Sequence, residues 1–264
     1  MTSILIAFAV VASIGLICAV LLALASHFLS VEEDHTQHEI RECLPGANCG
    51  ACGYAGCDEY AKAVAAGEAK TNLCIPGADA TAAEIAAILG TKAEDVIEMI
   101  AHVRCNGTCD ATSTFANYEG VKSCAAASMI YGGPNVCKYG CLGCGDCAAV
   151  CPNDAVCIVD GVARINSKKC VGCGLCAKEC PKGIIEIIPQ ISRVAVACSS
   201  LDKGAVARKK CKNACIGCKK CELNCPQKAI TVQNNVAIID YDKCDGCNKC
   251  AENCPTHCIK TLVG

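Results

Sequence analysis

Residues 141–152 read CLGCGDCAAVCP, and this string decides the fold of the chain around it. Its cysteines follow C-x2-C-x2-C-x3-C-P, the spacing of bacterial loops that hold [4Fe–4S] cubanes. A cubane needs four thiolates at its corners. Two-residue gaps let one tight loop place three of them, and the fourth comes from elsewhere in the fold. The string recurs at 170–181 (CVGCGLCAKECP), 215–226 (CIGCKKCELNCP) and 244–255 (CDGCNKCAENCP). The ligand candidates are therefore Cys141, Cys144, Cys147, Cys151, Cys170, Cys173, Cys176, Cys180, Cys215, Cys218, Cys221, Cys225, Cys244, Cys247, Cys250 and Cys254. Four copies in register exclude chance.

Working outward, residues 196–264 duplicate residues 121–195 at an offset of 74 residues. Cys124, Cys137 and the first two strings map onto Cys198, Cys211 and the last two. Between paired strings lie alternating β-branched segments, AVCIV and VARIN around Asp160-Gly161, and AITVQ and VAIID around Asn234-Asn235. Such dipeptides favour tight hairpin turns. The spacing predicts a bacterial-ferredoxin-like α+β module, twice. In that fold the fourth cysteine of each string ligates the other cluster. Cys141, Cys144, Cys147 and Cys180 form one expected set, and Cys170, Cys173, Cys176 and Cys151 the next. Cys215, Cys218, Cys221 and Cys254 form a third, and Cys244, Cys247, Cys250 and Cys225 a fourth.

Upstream stands LPGANCGACGYAGC, followed by Cys74. Cys49, Cys52, Cys57 and Cys74 make a further four-thiolate set. Zinc is the competing metal for such a set; the glycines at 46, 50, 53 and 56, which let backbone wrap a bulky group, favour iron–sulfur. Five [4Fe–4S] clusters follow. Thr81-Ala-Ala-Glu84 and Thr91-Lys-Ala-Glu94 match capping boxes, and Gly90 fits a stop between them. They predict two short helices, with His102 near the end of the second. His35 and His38 read as residues of a solvated turn.

Ten cysteines remain outside these sets. Cys105, Cys109, Cys124 and Cys137 are candidates for a sixth cluster; buried small side chains are the competing reading. Cys157 and Cys258 read as structural and Cys18 as apolar, while Cys43, Cys198 and Cys211 receive no role.

Thirty cysteines in 264 residues would suggest a disulfide scaffold in a short secreted chain, but ligand spacing and oxygen-sensitive clusters point to a reducing compartment. Residues 3–29 carry no charge and are long enough to span a bilayer. No basic n-region precedes them, so a retained anchor is expected over a cleaved signal peptide, with the cluster domains on the cytoplasmic side of the cell membrane. Net charge is −2 but uneven: residues 31–120 hold fifteen acidic and five basic residues, and residues 121–264 hold eleven and nineteen. Lys203, Arg208, Lys209, Lys210, Lys212, Lys219 and Lys220 concentrate the basic excess. Compensation of cluster charge is one reading and a docking face for an acidic protein the other. No aromatic platform accompanies them, which argues against nucleic acid.

The expected architecture is α+β: one N-terminal transmembrane helix (1–30), a small Gly/Cys-rich [4Fe–4S] domain with helices (31–120), then two tandem bacterial-ferredoxin-like two-cluster modules (121–195 and 196–264). An anchor, LPGANCGACGYAGC with Cys74, and strings ending in CDGCNKCAENCPTHC together resemble the B subunit of the Rnf complex, in a long form with two ferredoxin modules. The resemblance implies a membrane complex that oxidises reduced ferredoxin, reduces NAD⁺ and moves Na⁺ or H⁺. It implies soluble ferredoxin and the other complex subunits as partners. No G-x-G-x-x-G follows a strand and no P-loop is present, so nicotinamide and flavin chemistry is expected on partner subunits. The alternative is an electron-transfer subunit of a non-pumping membrane reductase, which the Gly-rich first domain does not fit.

Overall fold

The computed structural model describes residues 12–22, 24, 35–92 and 95–262. Three helices, His35–Cys43, Cys57–Ala65 and Ala78–Leu89, build the first domain. Their apolar faces meet at Ile40, Tyr60, Val64 and Ile85, all buried. Asp58 and Glu59 open the second helix, where carboxylates complement the positive end of the helix dipole. The Arg41 guanidinium holds Asp58 at 2.7 Å and ties the first helix to the second. Gly90 ends the third helix with φ +65°, as the sequence predicts. Thr81 is not its cap. The helix begins three residues earlier, after Gly77, and Thr81 is buried within it.

The second predicted helix is a strand. Of its capping box, Glu94 lies outside the described residues, and residues 95–98 are irregular. Met99–Val103 forms β1, antiparallel to β4 (Ile185–Pro189), with His102 opposite Glu186. Local pattern favoured a helix, but long-range pairing and burial of Ile100, Ala101 and Val103 override it. A strand upstream of residue 121 thus pairs with one inside the first module.

Each module comprises two two-stranded antiparallel sheets. In the first, β2 (Val156–Val159) and β3 (Val162–Ile165) form the hairpin, and β1 pairs with β4. In the second, β6 (Ile230–Gln233) and β7 (Val236–Ile239) form the hairpin, and β5 (Val194–Val196) pairs with β8 (Ile259–Thr261). Both turns are left-handed at both central residues: Asp160 and Gly161 have φ of 50° and 76°, and Asn234 and Asn235 49° and 68°. Cysteines interleave with Val, Ala and Ile in both cores.

Most of the expected transmembrane helix lies outside the described residues. Residues 12–22 and 24 are helical, with Leu16, Leu21 and Leu22 exposed. Among the described residues, no helix is long and apolar enough to cross a membrane.

Candidate iron–sulfur sites

In the first domain, Asn48 folds the Cys49–Cys57 loop back. It sits at φ 45°, and its side-chain oxygen accepts from Cys57 N at 2.8 Å. Tyr60 then fixes the return of Cys74: its hydroxyl donates to the Lys70 carbonyl at 2.8 Å and accepts from Leu73 N at 3.2 Å. Burial pushes the Cys74 thiol up to about 11, with Cys57, Cys49 and Cys52 close enough to push the same way.

The ferredoxin strings show the crossed arrangement. One cavity is lined by Cys141, Cys147 and Cys180, with Cys144 close to Cys141. A second is lined by Cys151, Cys170, Cys173 and Cys176. A third is lined by Cys215, Cys218, Cys221 and Cys254. Cys225 faces Cys244 and Cys250, with Cys247 beside them. We call these sites I, II, III and IV, and the first-domain set the N-terminal site. Among the described residues, no three His, Cys, Asp or Glu side chains converge on a point suited to a single metal ion. The cysteines ring cavities instead.

Two observations fit these rings to an inorganic cluster. Backbone N–H groups point at cysteine sulfurs: Ala101 N at Cys170 Sγ, Ala155 N at Cys151 Sγ and Ala229 N at Cys225 Sγ, each at 3.3 Å. Such donors favour thiolate over thiol and tune cluster potential. Each C-x-G-C glycine also has positive φ, and a Cβ on Gly143 would lie 2.6 Å from the Gly161 carbonyl oxygen. The motif loop is thus drawn tightly against its hairpin. Burial pushes Cys147 and Cys221 up to about 12, and Cys176 and Cys250 up to about 11. Iron bound at these cysteines would displace their protons, making loading pH-dependent.

The four cysteines expected to share a sixth cluster are divided. Cys124 is buried beside Cys144 and lines site I as a fifth cysteine. Cys109 is exposed and packs at the β2–β3 turn, its N–H donating to the Asp160 carbonyl at 3.0 Å. Cys105 and Cys137 share a different cavity, between the modules. Sequence also missed Cys258 at site III, where its Sγ lies 3.5 Å from Cys254 Sγ. Hydrogen bonding with the Cys258 thiol, which has one proton to share between Cys254 and Cys215, lowers Cys254 to about 4 and Cys215 to about 6. Cys43 bonds the Glu39 carbonyl within its helix, Cys157 is an exposed member of β2, and Cys18 is exposed. His35 and His38 form exposed pairs with Glu39 and Glu42. His102 is no helix terminus: it lies on β1, its Nε2 is 3.3 Å from the Val196 carbonyl oxygen, and burial lowers it to about 4.

The N-terminal site adjoins site II. The Lys178 ammonium donates to the Cys49 carbonyl, joining the N-terminal site to site II, and Cys173 lies close enough to Cys49 to feel its charge. Lys203, Arg208, Lys209, Lys212, Lys219 and Lys220 are exposed on the second module, whereas Lys210 is half-buried and paired with Asp202 at 2.8 Å.

Comparison with known proteins agrees with this geometry. Residues 44–76 match a family described as "Putative Fe-S cluster", and residues 140–184 and 214–258 match "4Fe-4S dicluster domain". The chain is 42% identical over 246 residues to the B subunit of the Na(+)-translocating ferredoxin:NAD(+) oxidoreductase complex of Acetobacterium woodii, covering 93% of this chain and 74% of that one. It is 42% identical over 242 residues to the B subunit of the proton-translocating counterpart of Clostridium ljungdahlii, covering 91% and 85%. It is 37% identical over 245 residues to the B subunit of the ion-translocating oxidoreductase complex of Methanosarcina acetivorans, covering 92% and 93%. Relatives this similar along nearly the whole of this chain place it in the family of B subunits of the ion-translocating ferredoxin:NAD(+) oxidoreductase (Rnf) complexes.

Proposed function

We propose that this chain is the iron–sulfur subunit that takes electrons from reduced ferredoxin and relays them within an Rnf-type complex coupling ferredoxin oxidation and NAD⁺ reduction to Na⁺ or H⁺ movement. The observation that carries the reading is the run of cysteine-lined cavities from the basic second module to the first domain. Bound [4Fe–4S] clusters supply one-electron carriage. The chain's own residues do the rest. Cys49, Cys52, Cys57 and Cys74 would hold one cluster, and the sixteen string cysteines four more in the crossed sets. Val, Ile and Ala side chains keep water from the sulfurs, and backbone N–H groups set their basicity. No acid–base or nucleophilic group is required, so the chain contributes to the complex's oxidoreductase activity without an active site of its own.

Uptake fits the second module. Cys218 is exposed at the edge of site III, with Lys219 and Lys220 directly after it, and exposed Leu223 (82%) adds an apolar contact. A basic rim around an exposed ligand loop suits an acidic redox protein, because complementary charge speeds encounter. The uncharged segment at 3–29 supports a single membrane anchor, with the cluster domains in the cytoplasm beside the other subunits of the complex. Anaerobic stopped-flow mixing of the full chain with reduced ferredoxin tests the reading. Fast, salt-sensitive bleaching of the iron–sulfur absorbance is expected. Slow bleaching with intact clusters would move ferredoxin binding to another subunit.

A further inference from the structure

Between the two modules lies a cavity lined by Cys105, Cys137, Cys198 and Cys211, which no sequence motif groups, and by Cys141 of site I. Cys105, Cys198 and Cys211 are buried, and Cys137 is half-buried. The sulfurs of Cys105 and Cys211 both lie 3.6 Å from the point where a Cβ on Gly107 would stand. Cys137 lies close enough to feel Cys105, Cys198 and Cys211 electrostatically.

The cavity has the symmetry of the duplication. Cys105 follows β1 and Cys198 follows β5, each two residues past its strand. Each sulfur accepts one N–H from the residue two further on, Gly107 at 3.4 Å and Ser200 at 3.5 Å. Each accepts a second, at 3.3 Å, from the first cysteine of its module's first string, Cys141 and Cys215. Cys137 and Cys211 both stand four residues before those same cysteines. The true counterpart of Cys198 is therefore Cys105, and each module contributes an equivalent pair.

The surroundings are built for closure. Residues between Cys105 and Cys124 cross to the second module, where Thr112 bridges to Cys211 and its hydroxyl donates to the Lys210 carbonyl at 2.8 Å. Asn213 donates to the Asn106 carbonyl at 2.8 Å, and Ser199 to the Tyr139 carbonyl at 3.0 Å. Counted with its open mouth to solvent, the space is ≈ 390 Å³, against ≈ 350, ≈ 330 and ≈ 300 Å³ for sites I, II and III counted in the same way.

We propose that Cys105, Cys137, Cys198 and Cys211 hold a sixth [4Fe–4S] cluster that joins site I of the first module to site III of the second. The inference rests on the iron–sulfur reading above. It takes the two sulfur-directed N–H bonds at each of Cys105 and Cys198, and the matched void, as marks of a cluster rather than of four packed thiols. In transfer, one electron leaves a reduced cluster at site III, reduces the central cluster by one, and is passed to site I; no proton or bond changes hands.

Iron, sulfide and zinc analysis of the full chain, purified without oxygen, tests it alongside Cys211→Ser, Cys137→Ser and the exposed control Cys109→Ser. At four irons per cubane, the wild type and the control should carry roughly 24 irons, and each of the other variants roughly 20 with matching sulfide. Mössbauer spectra should lose one cubane component in those variants. Roughly 20 irons in wild type, unchanged by Cys137→Ser, would overturn the inference and leave the five-site reading intact. One zinc per chain, lost in Cys211→Ser, would also overturn it. Little iron in any protein would instead sink the iron–sulfur reading as a whole.

Discussion

The first ferredoxin module turns its hairpin on Asp160-Gly161 and the second on Asn234-Asn235, and both reach the same left-handed turn. Around that shared frame the modules diverge. In the first, a Cβ on Gly172 would meet the Met99 carbonyl oxygen at 2.4 Å; at the equivalent Gly246 its nearest neighbours would be the Cβ, Cγ and Cδ of Arg193, each at 3.2 Å. The first module carries Gly145 and Asp146 where the second carries Lys219 and Lys220. The fifth cysteine is Cys124 at site I and Cys258 at site III. What the duplication preserves is the cluster-holding loop, and what it lets vary is packing and surface charge. The first module is fitted against its neighbours, and the second presents a charged face.

The comparison is broken most sharply at its glycines. Gly172→Ala should destabilise by about 3–5 kcal/mol, since left-handed backbone strain adds to a clash with fixed backbone. Gly246→Ala should cost only about 1–2 kcal/mol, mostly the strain, because Arg193 need give by only a few tenths of an ångström. Denaturant unfolding of the cluster-loaded variants reads the difference, and equal losses would remove the claim that the first module is the tighter.

Next in size is His102, which joins β1 to the Val196 carbonyl and stands where the second module has Ala195. Its folded pKa of about 4 lies below the ordinary 6.5. The unfolded chain therefore binds the extra proton between these values, and stability present above pH 6.5 is lost as pH falls towards 4. The loss amounts to roughly 3 kcal/mol at most. Glu186 opposite, raised by burial, works the other way. The difference between wild type and His102→Gln across pH 7 to 4 isolates the histidine, and parallel curves would refute its role.

The charged face should respond more modestly. Lys209→Glu with Lys212→Glu should slow reduction by ferredoxin about tenfold at low salt, with the gap closing as salt screens it. Unchanged low-salt rates would leave cluster charge compensation as the reason for the basic excess. Smallest is the fifth cysteine of site III. Cys258→Val removes the thiol that hydrogen-bonds with Cys254, and should lower the potential of that site on the order of 30 mV in an EPR-monitored redox titration. Cys124→Val removes a hydrogen bond in which the string thiol Cys144 is the donor, and should shift site I less.

The four strings, both hairpin turns and the first-domain cysteines were legible because each is a local pattern of ligand or turn residues. The strand at Met99–Val103 was not. Capping-like Thr91 and Glu94 and apolar Val96, Ile97 and Ile100 mimic a helix, and only pairing with Ile185–Pro189 decides otherwise. The central cavity was hidden for a related reason. The first module has nineteen more residues between Cys105 and Cys141 than the second has between Cys198 and Cys215. The 74-residue register therefore aligned Cys198 with Cys124, which the fold sends to site I. One signal was present: a short stretch with β-branched residues at alternating or near-alternating positions, MIAHV and VAV, ends two residues before Cys105 and Cys198.

The central claim is that the second module feeds the first domain through a continuous row of sites. Rapid freeze-quench EPR after mixing the full chain with reduced ferredoxin tests it most directly, comparing wild type with Cys211→Ser. The account predicts that second-module signals rise equally fast in both proteins, while first-module and first-domain signals lag only in the variant. Equal rise of all signals in both proteins would contradict it.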